Sequence, residues 1–253
     1  MAEASWRVHN FTQYKKSISI ILLVYNEEEI IEDVIKGFYN KVIRNVPKAR
    51  LIIAEDGSTD GTKRILQRLI TEIPFHLIES RFRKGYTHAL KDALCSAQTE
   101  LLFFSDADGQ HEPEDFFRLL AAIDDFGIVS GCRVNRRDPM HRLILSKIYN
   151  MLIFLLFGLR TTDINSGFKL ITKEVFNAVR DDIGYFEYCA ASELVLRAYL
   201  KGYKIQELPV CHMPRAVSKT KIFTTPQLPF IVGKCIKSLL KIRFAFPSKR
   251  IAA

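Results

Sequence analysis

The chain has 253 residues, 48% of them hydrophobic and 26% charged, which excludes a disordered chain and supplies enough apolar material for a buried core. Twelve Gly and nine Pro exclude collagen-like or low-complexity sequence. The formal net charge of +9 is concentrated: residues 201–253 hold eleven Lys and Arg against one acid, Glu207, while the first 200 residues are near neutral. Such a basic C-terminal fifth points to an anionic partner: a nucleic acid, a membrane surface or a phosphorylated substrate.

Residues 1–16 show neither an apolar h-region nor a small-residue cleavage site, so they read as an N-terminal extension rather than a secretory signal. From residue 17 onward, short β-rich runs alternate with helical patterns. Strands are predicted at Ile18–Val24, Leu51–Ala54, Phe75–Ile78, Leu101–Ser105 and Gly127–Gly131, and helices at Glu27–Arg44, Asp60–Thr71, Gly85–Ser96 and Glu112–Asp124. Near-continuous apolar strands joined by helices imply a Rossmann-like α/β fold, a mainly parallel sheet with helices on both faces. The second half is less regular. A helix over Pro139–Phe157 precedes a strand over Gly167–Ile171 and a short helix over Lys173–Val179; then come a helix near Tyr188–Leu200, a strand near Lys204–Val210 and a last helix from Pro226. No linker interrupts this series. The expectation is one compact domain over 17–225, with a donor half (17–131) and an acceptor half (132–225), followed by a basic amphipathic helix and tail over 226–253.

The five cysteines are widely separated and contain no C-x-x-C pair, which reads as reduced thiols of a cytoplasmic protein. Cys211 next to His212 has the look of a metal-ligand pair, but no second pair lies near it. No run reaches the roughly 18 uninterrupted apolar residues of a spanning helix. Leu143–Leu159 is broken by Ser146, Lys147 and Asn150, and Leu228–Phe246 by Lys234, Lys237, Lys241 and Arg243. Both read as amphipathic helices that lie on a bilayer or pack on the core.

Two acidic turns follow strands directly, Glu55-Asp56-Gly57-Ser58 and Asp106-Ala107-Asp108-Gly109, where open α/β sheets gather their ligands. Two hard carboxylates two residues apart suit Mg²⁺ or Mn²⁺ when phosphates complete the shell. In isolation such a pair equally describes a solvated turn that caps the next helix. No Walker or G-x-G-x-x-G phosphate cradle is present. That leaves a nucleotide held by acidic turns, with a divalent metal on its diphosphate. In the acceptor half, Arg142, Ser146 and Asn150 at i, i+4, i+8 share one helix face, with Leu143, Ile144, Ile148, Leu152 and Phe154 on the others.

Val24-Tyr25-Asn26-Glu27, Glu55–Thr62, Lys84-Gly85 and Asp106-Ala107-Asp108-Gly109-Gln110-His111 together resemble family 2 glycosyltransferases of the GT-A fold. The likeness narrows to the dolichol-phosphate mannose synthase and polyprenyl-phosphate glycosyltransferase group through Gly131-Cys132-Arg133, Arg142-x-x-x-Ser146, Asn165-Ser166-Gly167-Phe168-Lys169 and Glu207-Leu208-Pro209-Val210. It spans residues 17–221. The resemblance implies donor contacts from Tyr25, Glu27, Asp56, Lys84 and Asp106, and a Mg²⁺ or Mn²⁺ site at Asp106, Asp108 and Gln110. It also implies an acceptor-phosphate grip by Arg133, Arg142 and Ser146, with Asp108 and Arg142 carrying turnover. Arg215–Lys221 resembles the group's R-x-x-G-x-S-K, with Ser218 for Gly and Thr220 for Ser; Arg215 and Lys221 would close over the donor diphosphate and Lys219 would face the acceptor. The Q-x-x-R-W signature of processive synthases is absent.

The implied reaction is inverting transfer of a hexose from a GDP-mannose or UDP-glucose type donor to polyprenyl or dolichyl phosphate. It would take place peripherally on the cytoplasmic face of a membrane, with a separate membrane-anchoring subunit as a candidate partner. Three alternatives stand beside it: the same fold acting on a saccharide or other acceptor, a catalytically silent membrane-associated protein, and a nucleic-acid binder. The last lacks any recognition motif or aromatic stacking platform, so no nucleic-acid partner is expected.

Overall fold

The computed structural model describes residues 11–245 apart from 135, 137, 188 and 215–227. Its centre is a seven-stranded sheet of β1 (Ile18–Val24), β2 (Ala49–Glu55), β3 (His76–Glu79), β4 (Leu101–Asp106), β5 (Ile128–Val134), β6 (Lys169–Thr172) and β7 (Ile205–Cys211). The strand order is β3-β2-β1-β4-β6-β5-β7. Neighbours run parallel except at β6, which is antiparallel to both β4 and β5. The mainly parallel sheet is therefore as expected, and the single reversed strand couples the first four strands to the last pair.

Strand alternation sorts the core into two layers. Ile18, Ile20, Leu22 and Val24 of β1 face α1 (Ile31–Lys41), α2 (Thr62–Leu69) and α4 (Phe116–Ala122), through Ile35, Phe38, Leu66 and Leu119. Ile21 and Leu23 face the opposite layer. There α3 (Tyr86–Ser96), α6 (Lys173–Val179) and α7 (Ala190–Leu200) are joined by parts of α5 (Met140–Phe157) and α8 (Leu228–Ala245). Element positions follow the sequence reading, with shifted ends. The first helix starts at Ile31 rather than Glu27, because the amide of Glu27 donates to Thr62 Oγ1 (2.9 Å) and that of Glu28 to Asp60 Oδ2 (3.4 Å) in the neighbouring turn. The strand expected at Gly167 begins at Lys169, since Gly167 lies against Asp106. Of the expected last helix, residues 226 and 227 lie outside the described residues.

Helix α5 departs most from its expected packing. Asn150 is not part of a solvated polar face: it is buried, its Nδ2 donating to Ser146 O (2.8 Å) and Thr162 O (2.9 Å) while its Oδ1 accepts from Ile164 N (3.2 Å). Conversely Met140, Ile144, Ile148, Met151 and Leu155, spaced to form one stripe, are exposed. By length and composition α5 could cross a membrane, and only 17% of it is buried. Helix α8 is fastened to the loop before α7. Ser238 Oγ donates to Tyr185 O (2.8 Å), Lys234 pairs with Glu187, and Cys235 Sγ lies 3.7 Å from Cys189 Sγ. That loop is itself held by the buried Glu193 carboxylate, which accepts from the amides of Gly184, Tyr185 and Phe186 and from the buried Arg197 guanidinium.

Candidate active site

The ends of β1 and β2 form one cross-linked floor. Asn26 sits at φ 55°, a left-handed conformation that Asn tolerates better than most residues. There its amide donates to Ser58 Oγ (2.9 Å) and its Oδ1 accepts from Thr59 N (2.7 Å). Gly61 N donates to Glu28 Oε2 (2.6 Å). At Gly57, φ is 71° and a Cβ would stand 2.3 Å from the Phe82 carbonyl carbon, so the 82–85 loop crosses here only because the residue is glycine. That loop is clamped by Asp56, whose Oδ1 accepts from Lys84 N (2.7 Å) and Oδ2 from Gly85 N (2.9 Å). The Arg83 guanidinium lies 4.1 Å over the Tyr25 ring. Tyr25, Glu27 and Asp56 thus lie together at the ends of β1 and β2. Lys84 joins through its backbone, its ammonium being turned to Asp92 on α3.

Asp106 closes β4, and the chain turns so that Asp108 Oδ1 accepts from Gln110 N (3.2 Å). Gln110 Nε2 donates to Met213 O (3.1 Å) and Met213 N to Gln110 O (2.8 Å), pinning the turn to the end of β7. His111 and His212 form a bridge beside it. These bonds leave Asp108 Oδ2 and Gln110 Oε1 without a hydrogen-bond partner among the described residues. His111 Nδ1 and His212 Nδ1 are buried and also unpartnered. Burial, followed by the Arg133 charge, pushes His111 down to about 3, so it is neutral at physiological pH. Among the described residues no three His, Cys, Asp or Glu converge on one point. The set is instead two carboxylates and an amide oxygen on one turn, with glycine backbone pressed against Asp106, and this suits a hard divalent ion whose remaining ligands are phosphates. Tyr86, on α3, is another neighbour of Asp106. Its phenol is pushed well above the usual range, first by burial and then by the Asp106 charge and their shared hydrogen bond.

At the end of β5, Arg133 donates to Asp163 from Nε (2.7 Å) and Nη2 (2.8 Å), a bidentate pair. Burial alone would raise the Asp163 carboxyl, but Arg133, with Arg136 and Lys169 behind it, holds it below the ordinary carboxylate range. Glu207, on β7, sets the loop that presents Asp163: it accepts from Thr162 N (2.8 Å), Thr162 Oγ1 (2.7 Å), Asp163 N (3.2 Å) and Thr161 Oγ1. Arg136 donates from Nε to Asp138 (2.8 Å) and from Nη1 to Ser146 Oγ (3.3 Å). The structure therefore brings Arg133 and Ser146 into one polar cluster, and Arg142 stands a turn earlier on α5. Arg215, Lys219 and Lys221 lie outside the described residues, in the 215–227 interval that begins two residues past the Met213 bond to Gln110. Arg136, Asp163 and Tyr86 were absent from the sequence-derived site. The signal for Asp163 was its place just before Asn165-Ser166-Gly167; nothing in the sequence marked Arg136 apart from its neighbours.

The site thus joins acidic turns beyond parallel strands to a guanidinium cluster at the end of β5, and comparison with known proteins assigns the family. The model of glycosyl transferase family 2 matches residues 19–180, and the chain belongs to that family and is a glycosyltransferase. It is 29% identical over 218 residues to polyprenol monophosphomannose synthase of Mycolicibacterium smegmatis, covering 80% of each chain. It is 30% identical over 142 residues to undecaprenyl-phosphate 4-deoxy-4-formamido-L-arabinose transferase of Salmonella choleraesuis, covering 54% of this chain and 43% of that one. These relatives support a likeness to the polyprenyl-phosphate glycosyltransferase group within the family. Glucosyl-3-phosphoglycerate synthase of Mycobacterium tuberculosis, solved with Mn²⁺, UDP and glucosyl-3-phosphoglycerate, superimposes with a TM-score of 0.70 at 18% identity, covering 98% of this chain and 87% of that one. The fold is GT-A.

Proposed function

We propose that this enzyme transfers a hexose from a nucleotide sugar to a polyprenyl phosphate with inversion at the anomeric carbon. The observation that carries the reading is the adjacency of the Asp106–Gln110 turn to the Arg133–Asp163–Arg136–Ser146 cluster, which offers a donor-diphosphate site beside a site for a second phosphate. The relatives named for polyprenol and undecaprenyl-phosphate substrates support that acceptor. Tyr25, Glu27 and Asp56 would border the donor nucleoside, with Lys84 joining through its backbone and Arg215 and Lys221 toward the phosphates. Arg133, Arg142, Ser146 and Lys219 would face the acceptor, dividing the domain into a donor half and an acceptor half near residue 131. Asp106, Asp108 and Gln110 would hold Mg²⁺ or Mn²⁺, which offsets charge on the departing nucleoside diphosphate. An oxygen of the lipid phosphate bonds to the anomeric carbon as the bond from that carbon to the nucleotide oxygen breaks. The attacking phosphate is anionic at neutral pH, so no general base is required.

The test incubates the purified chain, Mn²⁺ or Mg²⁺ and farnesyl monophosphate with GDP-mannose, UDP-glucose and related donors, followed by mass spectrometry of the lipid fraction. A glycolipid one hexose heavier is expected with one donor. Sugar appearing only on saccharide or small phosphorylated acceptors offered in parallel would sink the polyprenyl reading.

The same reading places the enzyme on an anionic bilayer at its cytoplasmic face. The exposed stripe of α5 supplies apolar area, and α8 adds Lys234, Lys237, Lys241 and Arg243 with no acid. Helix α5 is fastened to the domain through its C-terminal half, by Asn150, Ile153 and Phe157, which favours lying in the interface over spanning it. Ile148→Glu with Met151→Glu is expected to abolish co-sedimentation with vesicles containing phosphatidylserine, while leaving the melting temperature unchanged because both side chains are exposed. Undiminished co-sedimentation would move the contact to another surface of the chain, and a wild type that fails to co-sediment would favour a separate anchoring subunit.

A further inference from the structure

We propose that Arg136 is an acceptor-binding residue, gripping the acceptor phosphate together with Arg133 and the Ser146 hydroxyl. The inference rests on the polyprenyl-phosphate reading above and names a ligand of its acceptor site that neither the motifs nor the resemblance supplied.

Three features of the cluster lead to it. The first is convergence. Arg133 Nη2 reaches Asp163 Oδ1 at 2.8 Å and Arg136 Nη1 reaches the same oxygen at 3.5 Å, so the two guanidinium groups meet around one carboxylate. They arise three residues apart at the end of β5. Asp163 is 2% exposed and its amide is fixed by Glu207, so the point on which they converge is rigid. Two cations placed side by side repel, and a buried carboxylate between them is the physical means of holding them there.

The second feature is the inventory of donors left over. A guanidinium carries five N–H bonds. Arg133 spends Nε and Nη2 on Asp163, leaving Nη1 with no partner among the described residues. Arg136 spends Nε on Asp138 and Nη1 on Ser146 and Asp163, leaving Nη2 likewise. Ser146 Oγ accepts from Arg136, which leaves its own O–H to donate. The carboxylates thus fix both guanidinium groups in place and leave one NH₂ on each without a hydrogen-bond partner among the described residues. Two NH₂ groups and a hydroxyl match the several acceptor oxygens of a phosphate monoester.

The third feature is position. Arg133 is within electrostatic reach of Asp106 as well as Asp163, so the cluster borders the turn expected to hold the donor diphosphate. Ser146 shares the domain-facing side of α5 with Asn150, away from the exposed apolar stripe, so a phosphate held here would lie between α5 and the donor turn.

Isothermal titration of the full chain with farnesyl monophosphate, with farnesol as the uncharged control, tests the assignment. The wild type is expected to bind the phosphate and not the alcohol, and Arg136→Ala to weaken that binding by about tenfold or more. Arg136→Lys is expected to recover only part of the loss, because a compact ammonium cannot reproduce the planar fork. Affinity for GDP or UDP with Mn²⁺ is expected to be unchanged in both variants, which also reports that they are folded. Arg136→Ala binding farnesyl monophosphate as tightly as the wild type overturns the assignment alone. Loss of nucleotide and lipid phosphate together overturns it as well, since Arg136 would then serve the donor or the fold. A wild type that binds nucleotide with Mn²⁺ but ignores farnesyl monophosphate overturns the polyprenyl-phosphate reading and this assignment with it.

Discussion

Asp108→Asn is expected to lower the rate of sugar transfer by on the order of 10²–10³-fold while leaving the thermal transition of the protein in place. The substitution conserves volume and keeps an oxygen able to accept the 3.2 Å bond from Gln110 N, so the turn retains its shape. What it removes is one unit of negative charge and one hard oxygen at a position half open to solvent. Asp108 Oδ2 has no hydrogen-bond partner among the described residues, so its loss should cost the fold little. Its value would lie in ligating the divalent ion that binds the donor diphosphate. The measurement pairs turnover with nucleotide affinity in the presence and absence of Mn²⁺. In the wild type Mn²⁺ is expected to tighten nucleotide binding, and in Asp108→Asn that enhancement is expected to vanish. A variant that turns over at the wild-type rate would remove the acidic turn from the mechanism.

The acidic turns were legible because each is local: strand, turn and helix are contiguous, and their carboxylates lie within a few residues of one another. The parallel strands were legible for the same reason, as apolar runs such as Ile18–Val24 that can only be buried on both faces. What escaped depends on residues distant in the chain. The reversed strand β6 slots between β4 and β5, a pairing that no local pattern dictates. Arg133 and Asp163 are thirty residues apart and meet only because Glu207, on a third strand, shapes the loop between them. Helix α5 shows a different limit. Its apolar residues surround most of the helix, so periodicity could not say which side the domain covers. The answer came from one polar residue: Asn150, bonded to Thr162 and Ile164, turns inward and leaves the Met140–Leu155 stripe outside.

The same long-range logic governs Gly167, whose replacement by alanine is the second large effect expected. A Cβ at this position would stand 2.2 Å from Asp106 Oδ2 and 2.6 Å from its Cγ, inside any tolerable contact. Its φ is not in the left-handed region, so alanine brings no backbone strain of its own. The conflict is purely with the carboxylate. Asp106 is a side chain, and the direct relief is for it to swing away, at the expense of its contacts with Tyr86 and Arg133. Gly167→Ala is therefore expected to act as a displacement of Asp106 rather than as a core defect. A shift of about 1 Å at such a group costs about 10²-fold in turnover. Gly167→Ala should resemble Asp106→Ala in its weakened Mn²⁺-dependent nucleotide binding, and the two changes combined should be no worse than Asp106→Ala alone, since only one carboxylate is being lost. Farnesyl monophosphate binding, which depends on Arg133, Arg136 and Ser146, should survive in Gly167→Ala. If the double variant instead shows the sum of two independent losses, Gly167 acts through something other than Asp106, and the close approach of the two does not explain why a glycine stands there.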